Sequence, residues 1–290
     1  MDKSNIRYNE VYVCPEDKEA IKRLYLSGLS TIEVGEQFNI TRKKVAKILD
    51  EFGVERRKNG SRKYNVNEHY FDKIDNQNKA YILGLLYADG CNYKKKQTIS
   101  LSLEEKDKDI LEKIRIEIGS DKPLEYLDYS NKHDFGYTYK NQYRLLVFSK
   151  YMCNILEKHG VIPNKSLLLD FPNIPKSLIN SFVRGYFDGD GSISRGKNVN
   201  TNFNLTITST NDFCVKLKEI VEEILMIHCG ISDASNHNGI TKVFTISGRI
   251  QVKKFMDWLY EDADMFLERK FQRYLDYFYN ITEEDNSLIV

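Results

Sequence analysis

The sequence predicts an α+β protein: two copies of one helix-and-antiparallel-strand half-domain, preceded by a small all-α unit. Three observations predict it. A segment order recurs at an offset of about one hundred residues, each copy opens on an apolar helix ending in Asp-Gly, and the amino-terminal stretch has helical but no strand periodicity. A chain of 290 residues can bury a sizeable core and divide into two or three domains. The expected boundaries are a helical unit over 1–54, a basic linker over 55–68, a first repeat over 69–172 and a second over 173–290.

Composition excludes several classes. Hydrophobic residues at 41% and charged residues at 29% suit a folded water-soluble protein, and no apolar run is long enough to span a bilayer, so no membrane partner is expected. The opening MDKSNIRYNE is polar and is not a secretory signal, so an intracellular location, in cytoplasm or nucleoid, is expected. Five scattered cysteines without a Cys-x-x-Cys pair suggest neither disulfides nor zinc, and five dispersed histidines lack ligand spacing. Any metal should therefore have oxygen ligands. The net charge of +1 decides nothing, because placement matters more than sum; Lys and Arg crowd residues 42–63 and 94–96.

In the amino-terminal unit, a helix carrying Ala20, Ile21, Leu24 and Tyr25 ends at Gly28, and Ser30 caps a second short helix through Phe38. Asn39 suits a left-handed turn residue. Thr41 caps a third helix whose apolar positions Val45, Ile48 and Leu49 leave Arg42, Lys43, Lys44 and Lys47 outside. The stretch Thr31–Leu49 resembles a DNA-binding helix-turn-helix, with Gly35 where the first helix usually has alanine; a plain helical hairpin with a solvated lysine face is the alternative. The following ERRKNGSRKY reads as a linker, or as a basic arm along phosphates through Arg56, Arg57, Lys58, Arg62 and Lys63.

The first copy reads as a helix over 77–89, a strand near Thr98–Leu103, a helix near Lys108–Ile118, a polar aromatic hairpin, a strand over Tyr143–Phe148 and a helix ending near Gly160. The second reads as a helix over 177–190, a strand over Phe203–Thr208, a helix over Asp212–Met226, a strand over Val243–Ser247 and a helix over Gln251–Tyr260. Both opening helices, YILGLLYADG (Tyr81–Gly90) and FVRGYFDGDG (Phe182–Gly191), carry small residues four apart: Gly84 and Ala88, Gly185 and Gly189. That spacing lets two backbones approach closely, so these helices are expected to pack on each other and bring their ends together. The ends are Asp89-Gly90 and Asp190-Gly191, with glycine expected as the left-handed stop residue. Helix-terminal carbonyls plus one carboxylate from each copy would attract a divalent cation, with Asp89, Asp190, Gly90 and Gly191 as the candidate metal-holding set.

These decapeptides resemble the paired motifs of single-chain LAGLIDADG homing endonucleases, over roughly residues 77–275. The resemblance implies two pseudo-symmetric αββαββα half-domains whose saddle-shaped antiparallel sheets sit on a DNA major groove. It also implies catalysis by Asp89 and Asp190 with Mg²⁺, or Mn²⁺ in its place, and short 3′ overhangs. Tyr87 stands where the family commonly has an acid, whereas Asp188 keeps it. Family members often place basic residues beneath the sheet; the positional candidates are Lys165 and Lys270, with ordinary surface lysines as the alternative.

For DNA contact, the segments after the motifs offer Asn92, Tyr93, Lys94, Lys95 and Lys96 in the first copy. The second offers Ser192, Ser194, Arg195, Lys197, Asn198, Asn200, Asn202 and Asn204; an exposed polar hairpin would look the same. The expected function is thus a site-specific, metal-dependent double-strand endonuclease, monomeric, acting on duplex DNA with a long asymmetric or pseudo-palindromic site. A non-cutting DNA-binding regulator and an RNA intron maturase on the same scaffold are the alternatives. The chain starts with Met and ends Ser-Leu-Ile-Val, which shows no intein signature and fits a freestanding or intron-encoded origin.

Overall fold

The computed structural model describes residues 12–56, 64–130, 133–134, 137–162, 168–196, 203–234 and 241–280. Contacts divide the chain into two units, Met1–Asn65 and Val66–Val290. The expected positions Arg57, Lys58, Arg62, Lys63, Lys165, Lys197, Asn198, Asn200 and Asn202 lie outside the described residues. Among the described residues no helix is long and apolar enough to cross a membrane.

The first unit contains α1 (Pro15–Leu26), α2 (Thr31–Gln37) and α3 (Arg42–Glu51). Proline at the first helical position costs α1 no hydrogen bond. A reciprocal Ser30–Glu33 capping box opens α2, and the Thr41 hydroxyl accepts from Lys44 N–H to open α3. Asn39 is left-handed, with φ 51°. Gly35 has a steric reason: a Cβ there would stand 2.6 Å from the Ile40 carbonyl oxygen as the α2–α3 turn passes over it. Ile21, Val34, Val45, Ile48 and Leu49 form the core, leaving Arg42, Lys43 and Lys47 exposed and Lys44 half-buried.

The second unit repeats one element order. Its first half runs α4 (Gln77–Ala88), β1 (Gly90–Tyr93), β2 (Thr98–Glu104), α5 (Lys108–Glu117), β3 (Glu125–Leu127), a two-residue pair β4 (His133–Asp134) and β5 (Tyr137–Thr138), β6 (Gln142–Phe148) and α6 (Lys150–Lys158). The second half runs α7 (Ile179–Asp190), β7 (Gly191–Arg195), β8 (Phe203–Thr210), α8 (Asn211–Leu225), β9 (Gly230–Asp233), β10 (Thr241–Ser247) and α9 (Arg249–Tyr260), followed by α10 (Glu268–Phe278). The sheets have matching antiparallel orders, β1-β2-β6-β3 and β7-β8-β10-β9. Each buries one face, as in β8, where Phe203, Leu205 and Ile207 are buried and Asn204 and Thr208 are exposed. One apolar core unites both halves, from Phe71 through the motif helices to Phe278.

The fold is therefore α+β with two similar half-domains, as the repeat predicted. The edge strands β1, β3, β7 and β9 and the helix α10 were missing from the expected order, which stopped at Tyr260. In α10 the positions Phe271, Tyr274, Leu275 and Phe278 follow helical spacing, so this helix was legible, and its partners are remote in sequence: Phe278 packs on Phe203, and Tyr274 stacks on Tyr260.

Candidate active site

The helices α4 and α7 touch through their backbones. A Cβ at Gly84 would lie 2.0 Å from the Phe182 carbonyl oxygen, and one at Gly185 would lie 2.0 Å from the Tyr81 carbonyl oxygen. The reciprocal distances express the pseudo-twofold relation of the two halves. Only hydrogen side chains permit this approach, which is why small residues recur at helical spacing. Nearer the carboxyl ends, a Cβ at Gly189 would meet the Ala88 methyl at 2.2 Å and Asp89 Oδ2 at 2.9 Å, so both helices terminate side by side.

Asp89 and Asp190 occupy these ends, and both are exposed. Neither Gly90 nor Gly191 is left-handed: Gly191 has φ −88° and ψ 156°, and Gly90 is absent from the positive-φ set. Glycine is required there for a different reason. The chain turns straight from helix into strand, and a Cβ would stand 2.6 Å from the Leu86 carbonyl oxygen at Gly90 and from that of Phe187 at Gly191. The sharp turn leaves each carboxylate at the rim where its sheet begins.

Beneath this rim lies a buried polar cluster. Lys270, in the first turn of α10, donates to the Phe187 and Gly191 carbonyls, the latter at 2.6 Å, with its ammonium 4.8 Å from the Phe187 ring centroid. Burial pushes this ammonium down to about 8, opposed by the pull of Asp188, Asp89 and Asp190. The ammonium takes up one of the two lone pairs of the Gly191 carbonyl oxygen.

Asp188, two residues before Asp190, is wholly buried. Its Oδ2 accepts from the Tyr81 hydroxyl and the Leu267 N–H, each at 2.8 Å. Burial raises its carboxyl to about 6, despite the nearby Lys270 ammonium and these two hydrogen bonds. Asp188 thereby ties α7 to α4 and to the start of the helix that carries Lys270. Tyr87, its counterpart in the first half, donates to the His159 carbonyl at the end of α6, over Gly160, where a Cβ would clash with the tyrosine hydroxyl. Both side chains thus anchor their motif helix to a later segment, and the acid also bridges to α4 of the other half.

Replacing Asp188 with alanine should leave the buried Tyr81 hydroxyl and Leu267 N–H without this acceptor, and is expected to cost about 1–3 kcal/mol. Asp188→Asn, which keeps an acceptor, should cost less. Urea unfolding of both variants checks this; equal losses would show that the hydrogen bonds are not what matters.

Arg184, not singled out in the sequence, is fully buried on the same helix. It donates to the Met265 carbonyl at 2.9 Å and the Leu259 carbonyl at 2.6 Å, and faces the Tyr81 ring. The signal was available: a cation inside an otherwise apolar motif helix needs buried acceptors.

The remaining expected contacts divide by strand alternation. Ser192, Ser194 and Asn204 share the exposed sheet face of the second half, and Tyr93 lies on that of the first. Lys94, Lys95 and Lys96 form an exposed turn after β1, with Lys94 paired to Glu157. Asn92 is corrected: it is buried and donates to the Cys153 and Val161 carbonyls, both at 2.9 Å, so it pins α6 rather than facing a groove. Arg195 likewise faces the helix-covered side, 5.7 Å from the Tyr277 ring centroid. Arg56 is ion-paired with Asp50 at 2.9 Å.

Among the described residues no group of three or more His, Cys, Asp or Glu side chains could hold a metal. The exposed donor set at the abutting ends is instead two carboxylates. That fits a hard cation which retains waters and takes its other ligands from a phosphate.

The site thus lies where two similar half-domains meet through backbone-packed helices, each ending in an exposed acid. Residues 177–257 match the LAGLIDADG-like domain family, so the chain carries such a domain in its second half. Among solved structures, an alanine mutant of the LAGLIDADG homing endonuclease I-SmaMI matches with a TM-score of 0.50 at 14% identity, over 74% of this chain and 94% of that one. The I-LtrWI LAGLIDADG homing endonuclease bound to target DNA matches at 0.43 and 12%, over 76% and 95%. Full-length DUF199/WhiA from Thermatoga maritima matches at 0.45 and 15%, over 77% and 68%. These likenesses concern fold. The DNA-directed RNA polymerase subunit Rpo1C of Methanocaldococcus jannaschii is 25% identical over 148 residues, 51% of this chain; the chain spans 15% of that relative's length.

Proposed function

We propose that this protein is a site-specific, divalent-metal-dependent double-strand DNA endonuclease that acts as a monomer. The observation that carries the reading is the pair of exposed acids, Asp89 and Asp190, at the abutting ends of two helices from a duplicated half-domain. Two carboxylates set close together at a rim between two sheet faces repel each other and would repel phosphates, an arrangement that makes sense when a cation bridges them.

Asp89 and Asp190 are the residues that would hold a divalent cation such as Mg²⁺, which when bound would supply charge that offsets phosphate and would activate water as the nucleophile. The two sheets fix the backbone register so that the scissile phosphates fall at the helix ends. Lys270, held against the carbonyls of Phe187 and Gly191, adds positive charge beneath the second acid; Lys165 is proposed for the same role in the first half by its place in the repeat. In the amino-terminal unit, α3 is proposed as the recognition helix of a helix-turn-helix, with Arg42, Lys43 and Lys47 on phosphates or base edges, extending the site. The unit boundaries suit this division, with basic residues around Arg56 linking a small DNA-binding module to the two repeats.

The test is selection of bound and of cleaved sites from a randomised duplex library, in Mg²⁺ and again with EDTA. Cleavage at one recovered sequence, lost in EDTA, is expected. Binding without cleavage in either Mg²⁺ or Mn²⁺ would replace this reading with a non-cutting DNA-binding protein, and binding to structured RNA alone would replace it with a maturase.

A further inference from the structure

The two sheet faces that flank the acids differ in chemistry at matching positions. In the first half, Cys91 and Tyr93 lie two and four residues after Asp89, and in the second Ser192 and Ser194 lie two and four after Asp190. The ladders extend the match. Cys91 aligns with Ser100 and Leu146, and Tyr93 with Thr98 and Phe148. Ser192 aligns with Thr206 and Thr245, and Ser194 with Asn204 and Ser247. One face therefore carries Cys, Tyr, Leu and Phe where the other carries Ser, Ser, Thr and Ser.

The apolar set is uncovered. Tyr93 is 50% exposed and Phe148 47% exposed, Cys91 is exposed, and Leu146 is half-buried. These side chains point away from the core, because the alternate residues Asn92, Leu145 and Val147 are the buried ones. Exposed apolar side chains gathered on one sheet face mark a binding surface. Lys95 and Lys96 follow Tyr93 directly and are exposed, which puts cationic charge at the edge of the apolar patch. An apolar centre with a basic edge complements a DNA major groove, where phosphates flank base edges and the thymine C5-methyl is the apolar group on offer.

We infer that the first half reads thymine methyl groups through Tyr93, Leu146 and Phe148, while the second half reads base-edge donors and acceptors through its hydroxyl and amide row. This rests on the proposed DNA-cleaving function and adds a recognition asymmetry to it. The Ser247 hydroxyl already donates to Asn204 Oδ1 at 2.8 Å, so that row is ordered for polar contact. Position follows from geometry. A strand rises about 3.3 Å per residue, so Tyr93 begins roughly 13 Å from Asp89 along β1. At 3.4 Å per base pair, the thymines concerned lie within about four pairs of the cut, all on one side of it.

The experiment takes the duplex selected by the full-length protein and replaces each thymine in turn by deoxyuridine, which lacks only the methyl group. Binding is measured in EDTA so that no strand is cut. Losing a methyl from a contact should weaken binding about fourfold, the equivalent of one buried methylene. The sensitive positions should cluster on one side of the site centre and change less than twofold on the other. A Leu146→Thr/Phe148→Ser variant, which copies the residues of β10 and leaves only Tyr93 of the three readers, should bind but lose most of the sensitivity, with its thermal melt confirming that it folds.

Uridine effects that are absent, equal on both sides, or retained in the double variant would overturn the inference. So would loss of self-association by the variant with site preference unchanged, which would make the patch a protein-docking surface. A protein that selects and cuts a site yet ignores the methyl groups keeps the endonuclease reading and loses this one. A protein that binds no duplex loses both.

Discussion

Asp89→Asn and Asp190→Asn are each expected to reduce single-turnover cleavage of the selected site by about 10²- to 10³-fold, the scale on which removing one charge-stabilising group slows an enzyme. Asparagine preserves shape and hydrogen bonding but removes the negative charge that would hold a divalent cation. Both acids are exposed at helix ends, so neither change should disturb the core. Binding in the absence of metal should be unchanged or tighter, since one repulsion toward phosphate is gone. The two variants should fail on different strands if each acid serves one scissile phosphate, and nicked product on a labelled duplex would reveal this. Cleavage within tenfold of the parent by either variant would remove that acid from the chemistry.

Gly185→Ala is the change expected to damage the fold most. Its new methyl would stand 2.0 Å from the Tyr81 carbonyl oxygen and 2.9 Å from the Leu85 nitrogen, both backbone atoms of the neighbouring helix. A flexible side chain could swing aside, but a helical backbone cannot, so α4 and α7 must separate along their contact. Overpacking of this kind costs about 3 kcal/mol or more, a large part of the stability of a typical domain. Separation would also move the two acids apart, so cleavage should fall even where folded protein remains. Gly84→Ala should behave alike, because its methyl meets the Phe182 carbonyl at the same distance. Gly230→Ala is the control: a Cβ there meets only the Thr245 carbonyl oxygen, at 3.9 Å, and stability should move by less than about 0.5 kcal/mol. Urea midpoints for the three variants order the effects, and a Gly185→Ala midpoint equal to that of Gly230→Ala would refute the backbone-contact account.

Much of this architecture was readable in advance because it depends on near neighbours in sequence. Helical spacing of Gly84 and Ala88, and of Gly185 and Gly189, announced a close helix pair. Strand alternation and the recurring segment order announced two half-domains, and Ser30, Asn39 and Thr41 marked the turns of the amino-terminal unit. Asp188 and Asp190, two residues apart on one helix, have opposite exposures, the first buried and the second exposed.

What the sequence by itself determined, then, is most of the helices, the central strands, their duplication and the two helix-terminal acids, since periodicity, capping and Asp-Gly turns act over a few residues; the short edge strands β1, β3, β7 and β9 and the helix α10 were not read. Tertiary structure alone decided which polar side chains face solvent and which serve the interior. Asn92 and Tyr93 are adjacent, yet opposite faces of one strand send the first to the Cys153 and Val161 carbonyls and the second outward. Arg184 finds its acceptors at Leu259 and Met265, and Asp188 finds its donors at Tyr81 and Leu267. A buried polar group is stable only where such remote partners converge, and their convergence is a property of the packed chain rather than of any local stretch.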